Sequence, residues 1–397
     1  MNFIFISPQF PDCYRHFCMR LRANGVNVLA IGDTPYDQLH PQLRDSLGEY
    51  YRVSSMEDYD QMLRAVAYFT FKYGKIDFLE SNNEYWLEQD ARLRQDFHIT
   101  SGLQPDELYC MNHKSAMKAF YKKAGVPTAR WHLLNGDREA AWSFARTVGY
   151  PIMAKPDTGV GAAGNRTIRS DEDLERLLNT DLGTPYLLEE YVSGVVSAFD
   201  GIVNSRGEIL FCGSHITPIS IMEMVHNRGT TYYYVPAEVA PDLRSAGEAV
   251  LRAFGVKKRS FHLEFFRLTE AKPGLGNVGD IVGLEVNMRP AGGYTPDMMN
   301  YSQSADYYQL WADMICFDEA RHSYDGPHKD CIYIGRWDGK PYRHSHEEIC
   351  ARYGAKVKDS GVLQGILHGS MGDSFFILNA DSPEEREEMT AFALEEW

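Results

Sequence analysis

Short apolar runs alternate along the chain with segments whose apolar residues recur at helical spacing. Residues 2–6 read as a buried strand, 13–24 as a helix closed by Gly25, and 26–31 as a second strand stopped by Gly32 and Asp33. A helical stretch near 57–73 ends at Gly74, and 76–80 is a further strand. Strands alternating with helices predict a parallel sheet wound with crossover helices.

A second unit begins near Pro105. Met117, Phe120, Tyr121 and Ala124 keep i, i+3, i+4, i+7 spacing, Gly125 caps that helix, and Pro127 takes the chain out of it. Asp137 is a good N-cap for a helix that ends at Gly149. Next come a strand over 151–155, a glycine-rich loop, a helix over 171–179, and strands over 186–192 and 198–203. Arg206-Gly207 suits a hairpin turn before a strand over 208–212. Residues 241–254 are helical, 260–267 and 281–289 are strands, and 304–317 is an amphipathic helix. From about 325 the pattern is mixed, until Ser382-Pro383-Glu384-Glu385 marks the start of a last helix.

Composition narrows the class. The chain of 397 residues is 44% hydrophobic and 24% charged, which excludes a disordered or fibrous protein. Lys and Arg number 40 against 55 Asp and Glu, a net charge of −15. Such a chain repels a nucleic-acid backbone and leaves only a local basic pocket for a phosphate ligand. No basic segment precedes the first apolar run, and no run reaches membrane-spanning length, so a cytoplasmic protein without membrane contact is expected. The seven cysteines are scattered, with no C-x-x-C pair, as reduced thiols are. Cys13, His16 and Cys18 lie close together, but no second ligand pair at zinc spacing follows.

The first strand leads into Ser7-Pro8-Gln9-Phe10-Pro11, so the G-x-G-x-x-G fingerprint of a dinucleotide site is missing, and Asp33 alone does not restore it. A Rossmann-like scaffold is the expectation. The chemistry lies further on. Lys155 ends a strand and opens a loop to Asn165 with glycines at 159, 161 and 164. Such a loop brings backbone N–H groups close to an anion. Its spacing imitates a P-loop, but Asn165 and Arg166 stand where Lys and Ser or Thr should follow. The lysine before it favours phosphate over a plain turn.

In Leu284 to Pro290, strand alternation puts Glu285, Asn287 and Arg289 on one face and Leu284, Val286 and Met288 on the other. His262 and Glu264 likewise share a face. On adjacent strands, the Glu264 and Glu285 carboxylates would come within about 4 Å and repel by about 4 kcal/mol at an effective dielectric of about 20. Such a pair needs a divalent cation or a shared proton, unless both face solvent on an edge strand. Apolar flanks argue for central strands and for the cation. Tyr186 to Gly194 runs from an apolar strand through Glu189 and Glu190 to a glycine, which a surface turn would match equally.

Taken in order, these segments resemble the ATP-grasp superfamily over roughly residues 105–320, and the preceding domain resembles its usual Rossmann-like companion. Asn112-His113-Lys114 with Gly125-Val126-Pro127 resembles the family's lysine-bearing entry segment, and Lys155 to Asn165 its glycine-rich loop. Glu189 to Gly194 resembles the adenine-binding hinge. Glu264, Glu285, Asn287 and Arg289 resemble the metal-binding and catalytic strand pair. The resemblance implies a mixed α/β and α+β chain. A Rossmann-like domain would span 1–104, and an ATP-grasp domain 105–324, in two subdomains hinged near 189–194. A C-terminal segment over 325–397 would pack on it.

The same resemblance implies roles. Lys114 and Lys155 would hold the ATP phosphates under the 158–164 backbone, with Gly159, Gly161 and Gly164 allowing close approach. Glu189 would accept from the adenine amino group, and the backbone at Glu190 and Val192 would pair with the ring edge. Glu264, Glu285 and Asn287 would bind one or two Mg²⁺ ions, or Mn²⁺ in their place. Lys155 and Arg289 would be catalytic, Arg289 stabilising charge that develops as the γ-phosphate moves. His113 stands where many relatives have Asp, and Val196 where many have a ribose-binding acid, which leaves the ribose ligand unassigned.

The implied reaction converts a carboxylate and ATP to an acyl phosphate that an amine then attacks. An amino acid or a small metabolite acid is the expected substrate, with a small-molecule amine as second partner and a homodimer as the simplest oligomer. Arg289, Arg228, His226 and Tyr294 are candidate substrate contacts, with Tyr232, Tyr233, Tyr234 and His262 beside them. Each reads equally as a packing or surface residue. A bicarbonate-activating carboxylase would share every ATP residue, whereas a non-catalytic nucleotide-binding protein would not need the acid–Asn–Arg set. His344 and His346 are expected to face solvent.

Overall fold

The computed structural model describes residues 1–159, 164–218, 231–363 and 371–397. The first domain holds β1 (Asn2–Ile6), β2 (Asn27–Gly32), β3 (Glu49–Arg52) and β4 (Phe78–Glu80), parallel in the order β3-β2-β1-β4. Helices Arg15–Ala23 and Tyr59–Tyr73 are its crossovers, the second N-capped by Asp58 and closed at Gly74. β3 has no apolar signature because its Glu49-Tyr50-Tyr51-Arg52 forms the polar edge of the sheet.

A smaller sheet follows: β5 (Trp131–Leu134), β6 (Ile152–Pro156), β7 (Arg166–Ile168) and β8 (Tyr186–Glu190), antiparallel in the order β5-β8-β6-β7. Helices Arg138–Val148 and Asp171–Leu178 bury Ala141, Ala145, Leu174 and Leu177 against Ile152, Ala154 and Leu188. β8 stops two residues short of its expected end, and residues 191–193 carry the chain into the large sheet.

That sheet holds β9 (Gly194–Val203), β10 (Ile209–Thr217), β11 (Thr231–Val235), β12 (Arg259–Leu268), β13 (Ile281–Asn287), β14 (Asp330–Arg336), β15 (Val357–Val362) and β16 (Ser374–Ala380). Their order is β13-β12-β9-β10-β11-β14-β16-β15, all antiparallel. The chain from residue 330 therefore extends this sheet by β14, β15 and β16. The mixed pattern there has a simple origin: β14 is buried throughout, whereas β15 is a half-exposed edge.

The expected amphipathic helix over 304–317 is corrected. Two helices stand in this region, Thr295–Gln303 and Tyr307–Phe317, and every residue from Tyr307 to Ile315 is buried. The second helix lies between the first domain and the large sheet, so it has no solvent face. Trp311 packs on Phe3, Phe5 and Phe17 of the first domain, while Tyr307 Oη donates to Ser260 Oγ of β12 at 2.8 Å. Asp313 stays satisfied by accepting from Asn24 and Gln309 and pairing with His322.

One smaller expectation also changes. His344 stacks on Phe392 and His346 lies against Phe376, which leaves both half-buried rather than facing solvent. Among the described residues, Cys13, His16 and Cys18 form no group with metal-ligand geometry. No described helix is long and apolar enough to cross a membrane.

Candidate active site

Three lysines converge on two carboxylates where the sheets meet. Lys114 and Lys118 lie one turn apart on the helix Lys114–Ala124, and Lys155 projects from β6. Lys114 Nζ stands 2.8 Å from Glu285 Oε1. Lys155 Nζ stands 2.6 Å from Glu189 Oε2, and Lys118 pairs with the other Glu189 oxygen. Burial pushes the Glu189 carboxyl up, but Lys118 and Lys155 outweigh it and hold the group at about 2. Lys118 escaped the motif reading; its one signal was the i+4 spacing from Lys114.

Asp157, at the base of the glycine-rich loop, aims this helix. Its Oδ1 accepts from Ser115 N at 2.7 Å, its Oδ2 from Ser115 Oγ at 2.9 Å, and its carbonyl from Lys114 N at 2.9 Å. One buried side chain thus ties the first lysine to the strand that carries the second. At Gly164 (φ 79°) a Cβ would stand 2.9 Å from Pro156 Cγ, so glycine is required there. Gly161, His226 and Arg228 lie outside the described residues.

β12 and β13 place Glu264 opposite Glu285 and His262 opposite Asn287. β12 is central as expected, but β13 is the edge of the sheet. The edge stays dry because the chain covers it: Gly283 N donates to the Pro127 carbonyl at 2.8 Å, and Tyr121 packs on Gly283. A bulge skips Leu284, which is therefore half-buried rather than part of the apolar face. Burial pushes the Glu285 carboxyl up and Lys114 pulls it down; Glu264 and Glu84 decide the balance upward. Two facing carboxylates and the buried Asn287 amide are a hard-oxygen donor set that fits a divalent cation.

β13 ends at Asn287, so Arg289 lies beyond the strand rather than on its face. It still reaches the site, where its charge acts on Glu264. Glu84, in the short turn after β4, accepts from Arg289 Nη2 and Nε at 2.5 and 3.0 Å. No sequence signal marked Glu84, because the first domain read as scaffold.

Behind Glu264 lies a buried relay. His262 Nδ1 is 2.6 Å from Asp200 Oδ1 and its Nε2 is 3.2 Å from Glu264 Oε1. Asp200 Oδ2 is 2.8 Å from His215 Nδ1. Burial would lower His262, but Asp200 and Glu264 raise it to about 9, so both ring nitrogens donate. The ligand atoms of Asp200, His215 and His262 lie within 4.8 Å of one another, but their N···O separations are those of hydrogen bonds.

The other expected residues scatter more. Glu190 is spent on structure: its carboxylate accepts from Arg130 Nη2, Nε and backbone N at 2.6, 2.9 and 2.7 Å. Its own N–H donates to the Arg130 carbonyl at 3.0 Å. Val192 is buried with Ala129 and Leu268 beside this junction. Tyr294 stacks on Tyr333 and Phe375, and Tyr233 stacks on Tyr333 at 5.1 Å, continuing a row of rings from His215. Tyr234 turns to the other side of the sheet, where Arg386 lies over its ring.

A parallel-sheet domain, a small antiparallel sheet and a large one, closing on paired lysines and facing acids, define a class of phosphate-handling proteins. Comparison with known proteins narrows that class. The profile of the carbamoyl-phosphate synthase L chain, ATP-binding domain, matches residues 113–189. An L-arginine-specific L-amino acid ligase of Bacillus subtilis is 24% identical over 74% of this chain and 70% of its own length. A biotin carboxylase of Nostoc is 33% identical over 25% of this chain and 22% of its own length. An L-amino acid ligase structure from Bacillus licheniformis superposes with a TM-score of 0.72 at 16% identity, covering 98% of this chain and 95% of that one. An N5-carboxyaminoimidazole synthetase from Staphylococcus aureus, complexed with ADP, gives 0.70 at 14% identity over 99% and 97%. The chain has the ATP-grasp fold, and its residues 113–189 match an ATP-binding domain.

Proposed function

We propose that the protein is an ATP-dependent carboxylate–amine ligase. It forms an amide-type bond through an acyl phosphate and releases ADP and phosphate, with an amino acid or small metabolite acid as the carboxylate substrate. One observation carries this reading: a lysine suited to phosphate, Lys114, touches an acid of the hard-oxygen donor set, Glu285, 2.8 Å away. Phosphate and cation sites therefore adjoin, as transfer of a γ-phosphate requires.

Lys114, Lys118 and Lys155 hold the phosphates, beside Gly159 and Gly164. Glu189 and the backbone at Val192 would lie toward the adenine, whereas the Glu190 N–H is already given to the Arg130 carbonyl. Glu264, Glu285 and Asn287 would hold magnesium, which when bound offsets repulsion between a carboxylate and the triphosphate. Arg289, aimed by Glu84, stabilises charge on the transferring phosphoryl group. The net charge of −15 and the free cysteines support a cytoplasmic enzyme of small molecules. Sequence similarity to an amino acid ligase over 74% of the chain, against 25% for a biotin carboxylase, favours ligation over bicarbonate activation.

The test is ADP and phosphate release from Mg-ATP across a matrix of paired amino acids, with and without bicarbonate. Release that requires one pair, with a condensation product found by mass spectrometry, is the expected result. Release that follows bicarbonate and ignores the amine would replace this reading with a carboxylase.

A further inference from the structure

Carboxylates occupy the lysines that the proposed function gives to phosphate. Lys114 holds Glu285, while Lys118 and Lys155 close on the two oxygens of Glu189, and none of these five side chains is more than 15% exposed. A phosphate offers the same acceptor chemistry with more charge, so an arriving nucleotide competes for the same ammonium groups. The two carboxylates then differ. Glu285 lies opposite Glu264, where the proposed cation would sit, whereas Glu189 lies on the small sheet among lysines.

We infer that Lys114 is a lock on Glu285: without nucleotide its ammonium satisfies this carboxylate and keeps a divalent cation out, and a phosphate that draws Lys114 away hands Glu285 to the cation. The inference rests on the proposed nucleotide site. An ammonium 2.8 Å from a ligand oxygen is a like charge beside any cation on that oxygen, in a site where water screens little. Glu264 has no such release. Its partner His262 is pinned from behind by Asp200 at 2.6 Å and sits in the middle of a strand. Lys114 is different, because Asp157 fixes its backbone while its side chain is tied to Glu285 by an ion pair that a phosphate can replace. Nucleotide can therefore change the charge beside Glu285 but not that beside Glu264, where His262 stays. Nucleotide and cation should bind with positive coupling, and a phosphate-binding lysine should oppose cation binding on its own.

Mn²⁺ is the probe, titrated into the full chain without nucleotide, with free Mn²⁺ counted by electron paramagnetic resonance. Lys114→Met and Lys114→Gln should each raise the nucleotide-free Mn²⁺ affinity by about tenfold or more, since the opposing charge is gone. Lys155→Met removes an equal charge but pairs with Glu189, so it should leave that affinity within about twofold. Thermal unfolding of each variant verifies that it folds. Wild-type protein that binds Mn²⁺ as tightly as the Lys114 variants overturns the lock, and this measurement needs no variant to fold beyond one of the two. Strong Mn²⁺ binding by the wild type alone, without nucleotide, overturns it as well. A parallel ATP titration separates the two claims. Wild-type protein that binds ATP but shows no gain of Mn²⁺ affinity on losing Lys114 sinks the lock alone. Wild-type protein that binds no ATP sinks the nucleotide site.

Discussion

Arg289 and Glu84 meet across the boundary between the large sheet and the first domain, with Nη2 and Nε both donating to Oε2 at 2.5 and 3.0 Å. Burial alone would weaken the arginine's charge, and Glu84 more than restores it. The Rossmann-like domain therefore supplies the carboxylate that orients the arginine. Glu84→Gln keeps one acceptor but loses the charge, and should lower kcat by about tenfold with the fold intact. Arg289→Ala should lower it by about 10²–10³, the cost of losing a charge-stabilising donor. ADP release under saturating substrate checks both, and an unchanged rate in Glu84→Gln would remove the orienting role.

Glu189 should matter more to the empty protein than to the loaded one. Glu189→Gln leaves Lys118 and Lys155 buried without an anion, which should cost about 3–5 kcal/mol near neutral pH. ATP supplies the missing anion, so it should raise the Tm of the variant more than that of the wild type. The pH dependence has a definite sign. Glu189 is held at about 2 in the fold against an ordinary 4.5. Its contribution is complete above pH 4.5 and fades as the pH falls toward 2. Urea unfolding of both proteins from pH 7 downward should show their stabilities converging, and a constant gap would contradict the assignment.

Where function was legible in the sequence, a local pattern carried it. Lys155 with its glycines, and Glu285 with Asn287, sit in short segments whose composition is odd for their surroundings. Lys118, Asp157, Glu84 and Asp200 were not legible, because each acts through a residue far away in the chain. Asp157 accepts from the first turn of the lysine-bearing helix 42 residues away, and Glu84 meets Arg289 across 205. The same reasoning separates the helices. Asp137 caps its own helix and was readable, while Tyr307–Phe317 is buried on all sides by two sheets that no local period could announce.

Gly283 sets the distance between the lysine-bearing helix and β13. A Cβ there would stand 2.4 Å from Tyr121 Cε1. Alanine would recover about 0.5–1 kcal/mol of strand conformational entropy, but moving the ring and its helix costs about 1–3 kcal/mol. The second effect should win. Gly283→Ala is expected to unfold at lower temperature and to bind ATP more weakly, since Lys114 and Lys118 ride on the displaced helix. A variant with lower Tm but wild-type ATP affinity would show that the helix repacks without moving its lysines.

Glu190 and Arg130 brace the point where the small sheet joins the large one. Burial pushes the Glu190 carboxyl up, but Arg130, through its side chain and its N–H, overcomes this and lowers it. Arg130→Ala removes two of the three Arg130 bonds and leaves the backbone N–H, with Lys272 3.5 Å away. The loss is therefore smaller than for a wholly orphaned charge, about 1–3 kcal/mol. Solvent reaches Arg130 itself, but Glu190 is only 1% exposed, so the cost falls on the carboxylate. Arg130→Lys should recover little, because a single ammonium cannot reproduce the fork that meets Glu190 Oε2 through Nε and Nη2. The brace lies beside the proposed adenine contacts and away from Arg289, so both variants should raise the KM for ATP while leaving kcat near the wild-type value. A fall in kcat at unchanged KM would place the junction's effect on the chemical step instead, and would move the adenine contacts away from Val192.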